Sequence, residues 1–192
     1  MKKLFLLLLT AISCAAQAQL SDYIENGRGS IKAGVSFVHD FPGLNGTALS
    51  GEYSFPLNEW IQGGIGVKRI QTSGFPRTAS VNEYTKATTL DFNLLFAVYH
   101  DETSALSIGG VYSFSFYDIR RSYPVYGTHN AAPSTEEATW QVQDSKSRGS
   151  GFGLIGEYEY YFPNNLSIGA RVSLCKAYNH VLMGGPFAAI RF

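Results

Sequence analysis

Apolar and polar residues alternate along most of this chain, from about residue 30 to Phe192. No long segment shows the three- and four-residue apolar spacing of an amphipathic helix. Successive side chains of a β-strand point to opposite faces, so the alternation predicts an all-β protein. Eight strands are predicted, over residues 30–41, 47–55, 60–72, 84–99, 105–121, 149–162, 166–179 and 184–192.

The connections between the predicted strands alternate in length. The segments FPLN at 55–58 and FPNN at 162–165 are similar short turns, and DETS at 101–104 is a third. The other connections include long loops at 73–83 and 122–148, with smaller loops near 42–46 and 180–183. Short turns at one end and longer loops at the other are typical of an eight-stranded antiparallel up-and-down transmembrane β-barrel. An even strand count lets the last strand pair with the first and leaves no open edge.

The two faces of the predicted strands differ in charge. One set of alternate positions carries no charge and is rich in aromatic residues; it includes Ile31, Val35, Phe37, Tyr53, Phe92, Phe96, Phe114, Phe116, Phe152, Tyr158, Val172, Ile190 and Phe192. The other set carries Lys32, Glu52, Lys68, Asp91, Glu157, Glu159, Arg171 and Arg191. A cation on the lipid face at the bilayer midplane costs roughly 2–4 kcal/mol. We therefore expect the uncharged set to face lipid and the charged set to face the lumen.

A soluble, secreted ligand-binding barrel is an alternative interpretation of the same alternation. Such a lipocalin-like protein would turn the apolar set inward and the charged set to water. The aromatic character of the apolar set and the segregation of short turns from long loops favour the membrane barrel.

The first 18 residues have the pattern of a secretory signal peptide. Lys2 and Lys3 precede a short apolar run, and Ala16-Gln17-Ala18 provides a small-residue cleavage site. The predicted organisation is a signal peptide at 1–18, a short segment at 19–28 and a barrel domain at 29–192. Cleavage would remove two cations and leave a small net negative charge, which argues against a nucleic-acid partner. It would also leave Cys175 as the remaining cysteine, so no internal disulfide is expected.

The last residues carry a family resemblance. Phe192 with apolar residues at alternate preceding positions, Ile190 and Ala188, resembles the C-terminal signal of outer-membrane barrels that the barrel-assembly machinery reads. Over residues 29–192 the chain resembles the small eight-stranded outer-membrane proteins, similar to outer-membrane proteins A, W and X. The resemblance implies location in the cell outer membrane, with periplasmic chaperones and the assembly machinery as partners during biogenesis. It implies no specific activity.

The eight charged lumen residues balance four cations against four anions. An eight-stranded barrel is just wide enough for side chains to fill it. We expect an ion-pair network that plugs the lumen, because unpaired buried charges are costly. A narrow path for ions or for small or hydrophobic solutes is the alternative.

Enzymes occur on this fold, so we considered the four histidines, His39, His100, His129 and His180. Because the first and last strands close the barrel, His39 and His180 should approach each other at the outer rim, beside Asp40. They suggest two alternatives, a lipid-modifying enzyme and a transition-metal site. No serine follows His180 at the spacing of the lipid A deacylases, so the sequence predicts no catalytic residues, no metal and no cofactor.

The longest predicted loop, residues 122–148 from Ser122 to Arg148, is polar with isolated aromatic residues at Tyr123, Tyr126 and Trp140. It is either a hydrated loop or the binding site of an extracellular ligand. The sequence therefore predicts a monomeric outer-membrane barrel with a structural or surface-interaction role. Its expected surroundings are outer-membrane lipid and lipopolysaccharide.

Overall fold

The computed structural model describes residues 29–40, 43–74, 82–125, 139–176 and 180–192. The strands are β1 Ser30–Asp40, β2 Asn45–Pro56, β3 Ile61–Gly74, β4 Glu83–His100, β5 Ser104–Val125, β6 Thr139–Tyr161, β7 Leu166–Lys176 and β8 His180–Arg191. These residues include no helix with the length and apolar content needed to cross a membrane. The predicted signal peptide and residues 19–28 lie outside the described residues.

The strands form one closed antiparallel barrel in the order β1 to β8. Each strand pairs with its neighbours in sequence, and β1 closes on β8 with Ser30 opposite Arg191 and Asp40 opposite Val181. Closure pairs both terminal strands within the sheet, which leaves no free strand edge in the barrel wall, as a bilayer requires. The predicted eight-stranded up-and-down fold is confirmed.

The two faces lie as the alternation predicted. Side chains of the uncharged set cover the outside, where Phe37 is 79% exposed and Ile190 is 58% exposed. Luminal Lys32 and Glu157 are each 3% exposed. Apolar surface on this scale is rare on a soluble monomer and matches a protein solvated by lipid. The soluble alternative is wrong, because it required the uncharged set to line the interior.

The three short turns are held by side-chain acceptors or by a residue suited to the turn backbone. Asn58 Oδ1 accepts the N–H groups of Trp60 and Ile61, both at 2.8 Å. Asp101 Oδ1 accepts the N–H groups of Thr103 and Ser104, both at 2.7 Å. In the third turn Asn165 adopts a positive φ of 63°, which asparagine tolerates better than most residues. By the usual topology of outer-membrane barrels, we assign these short turns to the periplasmic end and the long connections to the extracellular end.

The predicted strand ends are wrong at the opposite, extracellular end. Strand β5 continues to Val125 and β6 begins at Thr139, so much of the predicted loop 122–148 is strand. Residues 180–183 open β8 instead of forming a loop. The extensions of β5 and β6 lie above the apolar band, so the apolar–polar alternation that reveals a half-buried strand is lost there. Residues 126–138 lie outside the described part.

Candidate functional site

The periplasmic half of the lumen is filled by five charged residues that share one network. Lys32 Nζ contacts Glu157 and lies 2.9 Å from Glu159 Oε2. Arg171 Nε lies 2.6 Å from Glu157 Oε2, and Arg171 Nη2 lies 3.0 Å from Glu52 Oε1. Each cation therefore bridges two carboxylates, and Glu157 joins both cations. Hydroxyl donors complete the shell, from Ser54 to Glu52 and from Ser167 to Glu159.

An aromatic ring is packed among these charges. The ring centroid of Phe187 lies 5.1 Å from Lys32 Nζ and 5.8 Å from the Arg171 guanidinium carbon. The neighbouring strand makes room with Gly169, where an added Cβ would lie 2.3 Å from the Phe187 ring. The ring removes space that water would occupy and offers its negative face to both cations.

The other three predicted luminal charges lie apart from this network. Lys68 pairs with Asp91 at 3.0 Å higher in the barrel. The Arg191 guanidinium stacks on Tyr161, 4.2 Å from the ring centroid, and has no carboxylate within ion-pair distance among the described residues. It faces a periplasmic vestibule of about 480 Å³ that Trp60, Gln62 and His100 also line.

A second charged cluster at the extracellular rim was not predicted. Arg121 contacts Asp40 and Glu83, each at 3.5 Å, and lies 3.2 Å from the Thr85 hydroxyl. Glu83 Oε1 also accepts the backbone N–H of Ser122 at 2.9 Å. The alternation of inward and outward strand positions, here called parity, could have revealed the cluster. Arg121, Glu83 and Asp40 all continue the luminal positions of their strands. The predicted strands leave Glu83 in a loop, and Asp40 is predicted to belong with the histidines.

A small chamber separates the Lys68–Asp91 pair from this rim cluster. It measures about 40 Å³ and is lined by apolar Ile70, Ala87, Tyr117 and Met183 together with polar Thr72, Thr89 and Asp91. The Oγ1 atoms of both threonines and Oδ1 of Asp91 have no hydrogen-bond partner among the described residues. A chamber of this volume can hold about three water molecules, the usual partners of such atoms.

The predicted neighbours His39 and His180 take outward positions on the paired strands β1 and β8, but Asp40 turns to the other face. His39 points outward and its Nδ1 lies 2.8 Å from Asn45 Oδ1, whereas Asp40 points into the lumen and is 2% exposed. His180 begins β8 with the outward parity of His39. The described residues contain no group of three or more His, Cys, Asp or Glu side chains that could hold a metal ion. His129 lies outside the described residues.

Strands β5 and β6 extend past the rest of the barrel as a two-stranded blade, defined here as residues 121–125 and 139–143. Pairing between β6 and β7 ends at Phe152 and Lys176, and pairing between β4 and β5 ends at Tyr84 and Arg120. Along the described residues, positions 139–151 of β6 therefore have a partner only on the β5 side. At the base of the blade Arg120 Nε and Nη2 donate to Asp144 at 2.8 and 2.9 Å, which lowers the pKa of the Asp144 carboxyl.

The hydrogen-bonding direction of the open edge can be read from the turns. The Tyr161 N–H donates to Thr103 on the β5 side, and the Phe162 N–H donates to Leu166 on the β7 side. Because this direction alternates along a strand and β6 pairs with β5 without a register shift, even-numbered residues direct their N–H groups to the β7 side. Val142, Asp144, Lys146, Arg148 and Ser150 thus present backbone donors to the open edge.

Solved structures share this architecture at low sequence identity. Neisserial surface protein A matches with a TM-score of 0.54 and 11% identity, over 86% of this chain and 95% of that chain. Ail, the attachment invasion locus protein of Yersinia pestis, in complex with the heparin analogue sucrose octasulfate, matches with a TM-score of 0.54 and 14% identity, over 86% and 99%. A major outer membrane protein of Thermus thermophilus matches with a TM-score of 0.54 and 16% identity, over 87% and 100%.

The chain has the fold of the small outer-membrane β-barrels. No protein-family model matches it, and no curated protein matches it at a significant level. On this barrel the ion network occupies the half of the pore near the short turns, the chamber and rim cluster occupy the other half, and the blade extends beyond the rim cluster.

Proposed function

We propose that this protein is a surface-interaction protein of the outer membrane, anchored by a plugged barrel and recognising a partner through its blade. The observation that carries the proposal is the edge of β6 at residues 139–151, which has no strand partner on the β7 side within the described part of the chain. Unpaired strand edges recruit an extended segment of another protein, which adds a strand by main-chain hydrogen bonds. The names of two structural neighbours, a surface protein and an attachment protein, support the same class of role.

The plugged lumen supports an anchoring role for the barrel. The five-residue network crosses the periplasmic half of the pore, and its members other than Arg171 are at least nine-tenths buried. We expect no stepwise conductance from the purified protein in planar bilayers. Conductance that Arg171→Ala or Glu157→Ala alters would instead support the narrow channel, which the water-sized chamber and the wide vestibule favour as the second candidate.

The edge can be tested with substitutions that remove only its outward donors. Proline lacks an N–H group and is tolerated on strand edges. Val142→Pro with Ser150→Pro removes two donors from the open side and leaves the bonds to β5, whereas Val142→Ala with Ser150→Ala keeps every donor. The measurement is adhesion of bacteria expressing each form to a panel of immobilised extracellular-matrix proteins.

We expect adhesion to at least one panel protein that is retained by the alanine pair and lost by the proline pair. Boiled and unboiled electrophoresis in SDS verifies that both variants fold. Adhesion that survives in the folded proline pair, or no adhesion by the wild-type protein to any panel member, would contradict recognition through the edge.

Catalysis is tested separately. Asp40 points into the lumen, away from the outward positions of His39 and His180, which supports a non-enzymatic role. We therefore expect expression of the protein to leave the lipid A and phospholipid profiles unchanged. A new lipid species that His180→Ala abolishes would establish the lipid-modifying alternative.

A further inference from the structure

Outward-facing charges are distributed unequally between the two ends of the barrel. Among the described residues, six outward cations lie at the extracellular end, here called the basic belt: Arg69, Lys86, Arg120, Lys146, Arg148 and Lys176. Outward acids at this end, within the same ranges, are Asp118 and Asp144. The periplasmic end instead carries the acids Glu59, Asp101 and Glu102 on its turns, with no outward Lys or Arg in the described ranges.

The belt begins where the lipid-facing apolar band ends. Outward Val67 is followed by Arg69 on β3, and outward Leu174 is followed by Lys176 on β7. On β6 one serine separates Phe152 from Arg148 among the outward positions. One outward step covers about 7 Å of strand, or about 5 Å along the bilayer normal for a strand tilted by about 40°. One or two steps therefore place Arg69, Lys86, Arg120, Arg148 and Lys176 at the depth of lipid headgroups, and Lys146 lies one step beyond Arg148.

The cations form a continuous arc across β3 to β6. Lys86 and Lys146 stand opposite Asp118 from the two sides, and Arg148 stands opposite Phe116. Opposite residues on paired strands have Cβ atoms about 5 Å apart. Aromatic rings support the arc: Arg148 lies 5.7 Å from the Phe116 centroid, and Lys86 lies 4.9 Å from that of Tyr84.

The acids of this end neutralise only part of the arc. Asp144 accepts hydrogen bonds from Nε and Nη2 of Arg120. Asp118 is one carboxylate between two lysines. Arg69, Arg148 and Lys176 have no ion pair with any described residue. An arc of like charges at a bilayer surface attracts anions of that surface.

We propose that the basic belt binds the phosphate groups of anionic lipids in the outer leaflet. A lipid satisfies both parts of this surface at once, because its acyl chains would cover Phe152 and Phe116 while its phosphate meets Arg148 and Lys146. A soluble polyanion would meet only the charged part. The belt side chains also point sideways from the barrel, toward neighbouring lipids.

The test compares the lipids that surround the folded protein in vesicles of phosphatidylcholine. Trace spin-labelled phosphatidic acid or spin-labelled phosphatidylcholine is added, and electron spin resonance gives the motionally restricted fraction of each. We expect the protein to restrict phosphatidic acid in preference to phosphatidylcholine, and this preference should fall with added salt. The double variant Lys146→Gln with Arg148→Gln should reduce this preference for phosphatidic acid by about fivefold. That is the contribution expected of roughly one cation at an anionic membrane surface.

A charge-matched control is available at the other end of the barrel. Asn58→Asp with Asn164→Asp changes the net charge by the same amount, and both turn residues keep an acceptor oxygen. This control should retain the preference. Loss in the control as great as in the belt variant, or an unchanged preference in a folded belt variant, would overturn the proposal.

Two further measurements separate the lipid from other anions. Inorganic phosphate at constant ionic strength should not reduce the restricted fraction, and displacement by it would overturn the assignment to lipid headgroups. Heparin binding by the detergent-solubilised protein that the belt substitutions abolish, with lipid preference unchanged, would assign the belt to a soluble sulfated glycan and refute the lipid proposal. This proposal rests on the charged side chains of the belt, whereas the proposed function rests on backbone donors; Lys146 and Arg148 belong to both regions, and replacing them by glutamine leaves their backbone N–H groups in place.

Discussion

The two halves of the lumen satisfy their polar groups to different degrees. In the periplasmic half, Arg171 and Lys32 make four carboxylate contacts at hydrogen-bond distance, and the atoms without a partner among the described residues are the neutral Ser30 Oγ and Asn93 Oδ1. In the extracellular half, Arg121 reaches its two carboxylates only at 3.5 Å, and Thr72 and Thr89 have hydroxyl oxygens without partners among the described residues. Both halves use the same inward parity of the same strands, so the difference lies in which side chains meet across the lumen.

This contrast suggests a division of roles within one pore. A buried network with every charge shared is costly to open, because removing one member leaves another charge unpaired in a poorly solvated site. A chamber with unpaired hydroxyls depends on water and should tolerate change more easily. We therefore interpret the periplasmic half as the plug and the extracellular half as the deformable part of the lumen.

The largest expected effect comes from removing the acid that joins both cations of the plug. Glu157→Ala leaves Lys32 and Arg171 each with one carboxylate fewer, and we expect a loss of about 3–5 kcal/mol in the free energy of unfolding. Urea unfolding in phospholipid vesicles measures it.

Arg191→Gln is the comparison for that variant, because Arg191 stacks on Tyr161 without joining the network. Its loss should be about 0.5–1 kcal/mol. Equal losses for Glu157→Ala and Arg191→Gln would refute the special role of the shared network.

The second effect tests the packing of the plug. In Gly169→Ala the new Cβ would lie 2.3 Å from both the Phe187 ring and the Tyr158 carbonyl oxygen. We expect destabilisation by about 2–3 kcal/mol from overpacking, measured by the same unfolding assay. Gly156→Ala provides the control, since nothing lies within 4 Å of its added Cβ. If both substitutions are equally tolerated, the ring does not fill the lumen tightly.

The third prediction compares one hydroxyl from each half. Ser167→Ala removes a donor to Glu159 in the plug, and we expect a loss of about 1–2 kcal/mol. Thr89→Val removes a hydroxyl whose oxygen has no partner among the described residues, so it should be neutral or slightly stabilising. A clear destabilisation by Thr89→Val would show that hydrogen bonds in the chamber stabilise the protein as much as those of the plug.

The smallest expected effect concerns pH at a periplasmic turn. Hydrogen bonds from the Tyr99 hydroxyl, and then from Thr103, hold the pKa of Asp101 well below its ordinary value of 3.8. A carboxylate whose folded-state pKa is depressed stabilises the turn above about pH 4, and this contribution is lost as the pH falls toward the folded-state pKa. Amide exchange at Thr103 and Ser104 should therefore stay protected from about pH 8 to about pH 4 and become less protected below it. A loss of amide protection between about pH 7 and about pH 5 would contradict the attribution of this effect to the Asp101 carboxylate.

The lumen residues show how far sequence reasoning reached. Parity placed all eight predicted charges on the inner face, because a strand position alone decides which face a side chain takes. It did not reveal that Arg191 stands outside the network, since that depends on which residues of non-adjacent strands meet across the barrel. Lys32 on β1 and Glu157 on β6 are 125 residues apart in sequence.

The extracellular end shows where the same reasoning failed. Glu83 and Arg121 keep luminal parity, but they lie beyond the apolar band, where the outward positions become polar and the alternation fades. Strands β5 and β6 are held there by pairing with each other, as in Arg120 opposite Asp144, and not by burial against lipid. Sequence patterns register burial, so they detected the membrane-embedded part of these strands and missed the blade.

The sequence by itself determined the number of strands, their inward and outward faces and the three short turns, because these follow from side-chain alternation and local turn chemistry. Only the tertiary structure decided the shear of the barrel and therefore which charges pair, where a chamber remains and which strand edge stays open. Those features depend on distances between residues far apart in the chain, and barrel closure sets these distances all together.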